Sequence, residues 1–209
     1  METKCVILCA GSITPEDIRW ADIGPGDFVI AADAGWLHAR RCGIRPSLIL
    51  GDFDSSADPG DPGVPVERFP SRKDDTDSVL ALRRGLAEGF RRFVLLGALG
   101  GRLDHTFANL QALAFLADRG ACGWLRGEGA CATLLRGKAE CTLPRPTGYL
   151  SLFAVGGPCR GITLQGTEYP LENADLSPNF PLGVSNHITG ETARLSLAEG
   201  DLLVILTDR

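Results

Sequence analysis

The sequence lacks any C-x-x-C pair. Cys5, Cys9, Cys42, Cys122, Cys131, Cys141 and Cys159 stand singly, so a zinc site has no ligands at the required spacing. Seven is odd and the chain does not read as a short secreted one, which argues against a disulfide framework and for small buried thiols in a reducing cytoplasm. Basic charge is also short: 21 Lys and Arg against 26 Asp and Glu give a net charge of −5 with no basic stripe, so no nucleic acid is expected as a partner. Long hydrophobic runs are missing. The N-terminal "METKCVILCAGS" offers only seven apolar residues, Cys5 to Gly11, and lacks the longer core and cleavage site of an export signal, so no membrane is expected. There is no G-x-x-x-x-G-K-[ST] phosphate loop and no evident activated Ser, Cys or His nucleophile.

What is present changes character along the chain. At 209 residues it can bury a sizeable core, in one domain or two small ones. Residues 1–126 alternate apolar runs with helical patterns. "KCVILCA" (4–10), "FVIAA" (28–32), "SLILG" (47–51) and "RFVLLG" (92–97) read as strands buried on both faces, with "VPVERF" (64–69) and "ACGWL" (121–125) as further candidates. "TDSVLALRRGLAEG" places Val79, Leu82 and Leu86 on one helical face, and "LDHTFANLQALAFLADRG" does the same with Phe107, Leu110 and Ala114 before a stop at Gly120. Such alternation predicts an α/β domain with a mostly parallel, Rossmann-like sheet. Residues 127–209 hold no long helical pattern. "YLSLFAV", "GITLQ", "TARLSL" and "DLLVIL" are short strand-like runs parted by Gly, Pro and Asn, which predicts a small all-β sandwich or barrel.

Polar clusters fall at the ends of successive strands. Asp33 follows the second, Asp52 and Asp54 the third, "SRKDDTD" (71–77) the fourth and "GALGGRLDH" (97–105) the fifth. In an open parallel sheet, ligands bind outside those carboxyl ends. Carboxylates converging there repel one another unless a cation is present. Hard oxygen ligands with little sulfur or imidazole point to magnesium, which favours one or two carboxylates plus substrate phosphates. Asp52 and Asp54 suit that role, with Asp77 and Asp104 completing the acidic lining. Each cluster also has a plain reading: Asp33 as a turn former or cap, "KDDTD" as an acidic first turn, "GALGG" as a flexible loop. Four in succession are harder to dismiss than one.

"GDFDS", "KDDTD", "GALGGRLDH" with Asn109 beyond it, and "GVSN" in an all-β tail resemble, in order and spacing, the thiamine pyrophosphokinases. The resemblance runs over nearly the whole chain. It implies a catalytic α/β domain, a β domain for thiamine binding and dimerisation, and a homodimer with active sites between subunits. The implied activity is transfer of pyrophosphate from ATP to the thiamine hydroxyl, giving thiamine diphosphate and AMP. Carried over, Asp52, Asp54, Asp77 and Asp104 hold magnesium and the triphosphate. Ser55, Lys73, Thr76, Arg102, His105 and Asn109 place the nucleotide, with Asp33 left open because Ala34 stands where many relatives carry a glycine. Ser185 and Asn186, in the loop "PLGVSNHITG", belong to the thiamine pocket.

The chemistry suits these residues. An alcohol attacking the β-phosphorus expels AMP, so catalysis is mostly alignment and charge stabilisation, with Lys73 and Arg102 as phosphate cations and Asp77 or Asp104 accepting the proton late. His105 reads as a hydrogen-bonding partner, Tyr169 as a packing aromatic and His187 as solvent-facing. Two other readings share these residues: a pyrophosphokinase for another heterocyclic alcohol, such as a hydroxymethyl pterin, and a nucleotide or thiamine sensor without catalysis.

Overall fold

The structure, a computed structural model, describes residues 2–54, 56–72 and 74–208. It has a two-domain layout, dividing into the compact units Met1–Glu128 and Gly129–Arg209.

In the first unit, β1 (Cys5–Leu8), β2 (Phe28–Ala32), β3 (Leu48–Gly51), β4 (Val66–Arg68), β5 (Arg92–Leu96) and β6 (Cys122–Gly127) lie in the order β4-β3-β2-β1-β5-β6. The pairings between them are parallel: Val6 of β1, for example, faces Val29 on one side and Val94 on the other. Every residue of β1 and β3 is buried, as continuous apolar runs covered on both faces must be. Between the strands run α1 (Pro15–Ala21), α2 (Gly35–Arg41), α3 (Asp77–Ala87) and α4 (Leu103–Ala117).

The helices differ from expectation in two ways. First, α1 and α2 had no counterpart in the apolar periodicity, since seven residues make only two turns. The signal for α1 was instead its start: the Thr14 side chain accepts the Asp17 N–H while the Asp17 carboxylate accepts the Thr14 N–H. Second, the buried faces of α3 and α4 are rotated. On α3, Leu82 is buried with Ala81 and Gly85, while Val79 and Leu86 are only half-buried. On α4 the buried stripe is Asn109, Ala112, Leu113 and Leu116; Leu110 and Ala114 are half-buried, and Phe107 is 59% exposed. So much of α4 is apolar that hydrophobicity alone does not choose the inward face; packing against the rest of the unit does.

The second unit is built, among the described residues, from strands alone: β7 (Ala130–Arg136), β8 (Ala139–Pro144), β9 (Leu150–Gln165), β10 (Leu171–Leu176), β11 (Gly183–Asn186), β12 (Thr192–Leu197) and β13 (Glu199–Thr207). Their pairings are antiparallel, so strand pairing over the whole chain is mixed. The 16-residue β9 organises the unit. Its first half pairs with β13 and β11, and its second half with β12 and β10. Alternation is clean on β12, where Ala193, Leu195 and Leu197 are buried between more exposed neighbours. The "GVSN" segment, expected in a loop, is β11, held through Gly183 opposite Leu152 and Asn186 opposite Leu150. Two intervals of β9 there face three of β11, a bulge that places Ser185 at φ 61°. All seven cysteines are free thiols. No helix among the described residues is long and apolar enough to cross a membrane.

Asp17 is a buried charge of the first unit, 2% exposed. Its carboxylate accepts from the Thr14 N–H and hydroxyl at 2.9 and 2.8 Å and from the Arg126 guanidinium at 2.8 Å. Burial alone would raise this carboxyl; the Thr14 and Arg126 hydrogen bonds outweigh it and hold it below the usual range. A carboxyl lowered by folding stabilises the fold above its unfolded value of about 4, and that stabilisation is lost as pH falls. Asp17→Asn is therefore expected to cost about 2–3 kcal/mol at pH 7, from the weakened cap and the lost charge pairing with Arg126. The gap to wild type should narrow in denaturant titrations below pH 4, and a gap independent of pH would contradict this account.

Candidate active site

The order β4-β3-β2-β1-β5-β6 makes β1 and β5 neighbours although the chain visits three strands between them. Connections depart to opposite sides at such a point, and a crevice opens at the strands' carboxyl ends. A cavity of about 390 Å³ lies there. Its floor is backbone. Gly97, at φ 67°, crosses Gly11 so closely that a Cβ on Gly97 would sit 2.7 Å from the Gly11 carbonyl oxygen, and one on Gly11 would sit 2.4 Å from that of Gly97. The exits of β1 and β5 can meet only without side chains.

Six of the residues assigned from sequence line this cavity: Asp33, Thr76, Asp77, Arg102, His105 and Asn109. Asp33, 6% exposed, is pressed into place by Gly51, where a Cβ would lie 2.9 Å from the Asp33 Cα. The methyl of Ala34 does not remove Asp33 from the rim. Thr76 caps α3, its hydroxyl accepting the Val79 N–H at 3.3 Å, and Asp77 opens the helix where the backbone dipole favours a negative charge. Asn109 is buried and donates to the Ala98 carbonyl at 2.8 Å, so it holds the "GALGG" loop in shape. His105 stands in the first turn of α4.

The remaining acidic residues are placed differently. Asp104 is exposed and takes a two-pronged hydrogen bond from Arg102, at 3.2 and 2.7 Å. Those bonds hold its carboxyl below the usual range. Asp52 and Asp54 follow β3, outside the cavity lining, with the Asp54 N–H donating to Asp52 at 3.2 Å. Their loop is tied to the cavity where the Ser56 hydroxyl donates to Asp33 at 3.4 Å. Among the described residues no three His, Cys, Asp or Glu side chains gather as a metal cluster. The four-aspartate set expected from sequence is therefore not assembled as one cage. A pair of hard carboxylates completed by substrate phosphates remains the arrangement magnesium accepts, and the Asp52–Asp54 pair fits it. Ser55 and Lys73 lie outside the described residues.

In the second unit the two assigned residues have different parts. Ser185 is exposed, its N–H donating to the Ser151 hydroxyl at 3.1 Å. Asn186 is buried and turned inward. Its side-chain oxygen accepts the N–H groups of Tyr169 and His187 at 3.1 and 2.8 Å, and its amide nitrogen donates to the Tyr169 carbonyl at 2.7 Å. Thr167 donates to that same carbonyl at 3.2 Å. Tyr169 is thereby fixed by its backbone while its side chain stays out, 63% exposed, contrary to the packing role expected of it. His187 is half-buried rather than solvent-facing, its ring 4.8 Å from that of Tyr149.

Comparison with known proteins is consistent along the chain. Residues 25–122 match the model for the thiamin pyrophosphokinase catalytic domain, and residues 140–202 that for the thiamin pyrophosphokinase vitamin B1 binding domain. Together these span more than three-quarters of the sequence. The chain belongs to the thiamine pyrophosphokinase family. The thiamine pyrophosphokinase of Bacillus subtilis (strain 168) is 26% identical over 184 residues, covering 84% of this chain and 85% of that protein. The crystal structure of thiamine pyrophosphokinase from Bacillus subtilis superposes with a TM-score of 0.87 at 24% identity over the full length of both chains, which speaks to the fold. That of thiamin pyrophosphokinase from Geobacillus thermodenitrificans gives 0.84 at 27% identity, covering 100% of this chain and 98% of that one.

The thiamine pyrophosphokinase catalytic match takes in every assigned residue of the first unit, and the vitamin B1 binding match takes in Ser185 and Asn186. Sequence reasoning missed Cys9, Gly11 and Ser78 as cavity residues. Cys9 left no signal, being one more apolar residue after a strand. Burial pushes its thiol up to about 12 against a weak lowering by Ser78, 3.8 Å away, so it serves as a small neutral wall. Gly11 had one available signal: it and Gly97 follow strands that become neighbours.

Proposed function

We propose that this protein is an ATP-dependent thiamine pyrophosphokinase, transferring pyrophosphate from ATP to the thiamine hydroxyl with release of AMP. What carries the reading is a coincidence: the catalytic-domain match takes in the residues that line the cavity where β1 and β5 part, all but Cys9, Ala10 and Gly11. In this reading ATP occupies that cavity, its phosphates directed toward the first turns of α3 and α4, where free backbone N–H groups favour anions. Arg102, already shared with Asp104, turns to the phosphates as a planar fork. Asn109 acts by keeping the "GALGG" loop shaped for the nucleotide.

Asp52 and Asp54 are the residues that would hold magnesium. The ion's contribution when bound is to neutralise phosphate charge and make AMP a better leaving group. Proton acceptance from the alcohol falls to Asp77, which lines the cavity, rather than to Asp104, whose basicity Arg102 reduces. No nucleophilic side chain is needed, since alignment and charge stabilisation carry such transfers.

The thiamine half is read around Tyr169. Thiamine carries a fixed positive charge on its thiazolium ring, and an outward phenol on a backbone held by the Asn186 clamp is a surface that attracts it. Asn186 then acts through Tyr169 rather than on thiamine directly. Phe180, Leu182 and Val184 are exposed on the same unit. A β domain this small gains from covering such residues, and a second copy of the chain in a C2 homodimer is the proposed cover, with each active site drawn from both subunits. Free thiols throughout suit a reducing cytoplasm.

The test is a turnover assay with ATP, magnesium and a panel of alcohols. AMP should appear with thiamine and thiamine diphosphate should form in equal amount. AMP release with a hydroxymethyl pterin instead would shift the substrate. Binding of ATP and thiamine without any AMP would make the protein a sensor.

A further inference from the structure

The loop that carries Asp52 and Asp54 is anchored from beneath and from one side. Phe53, between the two aspartates, is 9% exposed and packs with Ala31 and Ile49 and against Trp36, Val64 and Val66. Its φ of 56° is uncommon for an aromatic residue, and the turn that results buries the ring while its two acidic neighbours stay accessible. Farther along, Trp36 donates its indole N–H to the Ala57 carbonyl at 3.1 Å. Arg68, at the end of β4 and in register with Gly51, then closes the loop. Its Nε and Nη2 donate to the two oxygens of Asp58 at 3.0 and 2.8 Å, Nη2 also reaches the Gly60 carbonyl at 3.3 Å, and the guanidinium lies 6.0 Å from the Phe53 ring centre.

We infer that Arg68 is a positioning residue for the metal pair: its clasp on Asp58, set over Phe53, fixes the loop so that Asp52 and Asp54 are held ready for a divalent cation. Arg68 touches neither cation nor substrate. Both partners are about half exposed, 49% and 52%, and an ordinary surface pair of that kind contributes little to stability. This one spans ten residues of chain and has two-pronged geometry, so its consequence lies in loop order rather than in global stability. The Arg68 hydrogen bonds bring the Asp58 carboxyl down to about 2, so the clasp stays charged at any pH used for assay. The inference rests on the reading of Asp52 and Asp54 as the magnesium pair.

The test uses the full-length protein and three readouts: magnesium dependence of turnover, binding of Mn²⁺ in the presence of ATP by electron paramagnetic resonance, and hydrogen exchange over 52–64 in the metal-free protein. Arg68→Gln should raise the magnesium needed for half-maximal rate and weaken Mn²⁺ binding by about tenfold, the lower end for residues supporting metal ligands. It should speed exchange in the loop, leave kcat at saturating magnesium unchanged, and melt within about 3 °C of wild type. Asp58→Asn should reproduce these shifts, and the double variant should be no weaker than either single one, because both remove the same clasp. Asp54→Asn separates the two ideas. If it weakens Mn²⁺ binding while Arg68→Gln and Asp58→Asn do not, the metal pair stands and the clasp is overturned; additive losses in the double variant also overturn it. If Asp54→Asn leaves Mn²⁺ binding unchanged, the metal reading falls and the inference falls with it.

Discussion

Asp54→Asn is expected to give a folded protein that forms thiamine diphosphate about 10²–10³ times more slowly than wild type. The substitution is nearly isosteric and the side chain is exposed, so packing does not change. The Asp54 N–H keeps its hydrogen bond to Asp52. What is lost is one negative charge and one hard oxygen ligand of a pair. At about 1.4 kcal/mol per tenfold, the expected loss is roughly 3–4 kcal/mol of transition-state stabilisation. An acidic residue that merely decorates a turn would change stability by less than about 0.5 kcal/mol and leave the rate alone. The two cases are therefore far apart. Single-turnover rates over a range of magnesium concentrations, with melting curves as the control for folding, decide between them. Near-normal turnover by a well-folded variant would remove Asp54 from the site.

Mixing two inactive variants should restore activity, the second large effect. The proposed homodimer takes its magnesium aspartates from one chain and its thiamine contacts from the other. Asp54→Asn damages the first set. Asn186→Ala damages the second, because the Tyr169 backbone loses two hydrogen bonds and the His187 N–H a third. Each variant alone should be weak or inactive. When the two are unfolded and refolded together in equal amounts, roughly half of the dimers are mixed if pairing is random. In a mixed dimer with shared sites, both lesions fall in one site and the other is intact, so roughly a quarter of all sites recover. Were each site built within one chain, every site would keep a lesion. Failure to recover activity, with exchange confirmed by mass and dimers by light scattering, would overturn the shared-site model.

Much of this was legible before any coordinates, and the reason is local. Runs such as "CVIL" and "LILG" are apolar at every position, which only a strand covered on both faces tolerates, so β1 and β3 could be drawn from composition alone. Thr76 before a helix and Asp77 in its first turn carry their signals within four residues. The "GDFDS", "KDDTD" and "GVSN" segments and their order sufficed to point to the family whose two domain models the chain matches. Signals failed where the deciding partner is far along the chain. Phe107 looked like core because it is large and apolar, yet α4 turns Asn109, Ala112, Leu113 and Leu116 inward instead. Asn186 was assigned to the thiamine pocket through the family resemblance, and its amide bonds to Tyr169, 17 residues away, a link no local signal carries. Tyr169 looked like packing and is instead held outward.

The sequence by itself determined the buried strands and the two long helices of the first half, the order of the acidic clusters, the succession of an α/β half by a β half, and the chemistry those residues can perform, because propensity, charge and motif spacing are properties of neighbouring residues. Tertiary structure alone decided which clusters meet. Strand order set Asp33, Asp77 and Arg102 around one cavity and left the Asp52–Asp54 pair on the adjoining β3 loop, joined to that cavity through Ser56 and secured by Phe53 and Arg68. Which strands become neighbours depends on long-range packing, the close approach of Gly11 to Gly97 included, and no short stretch of sequence contains that information.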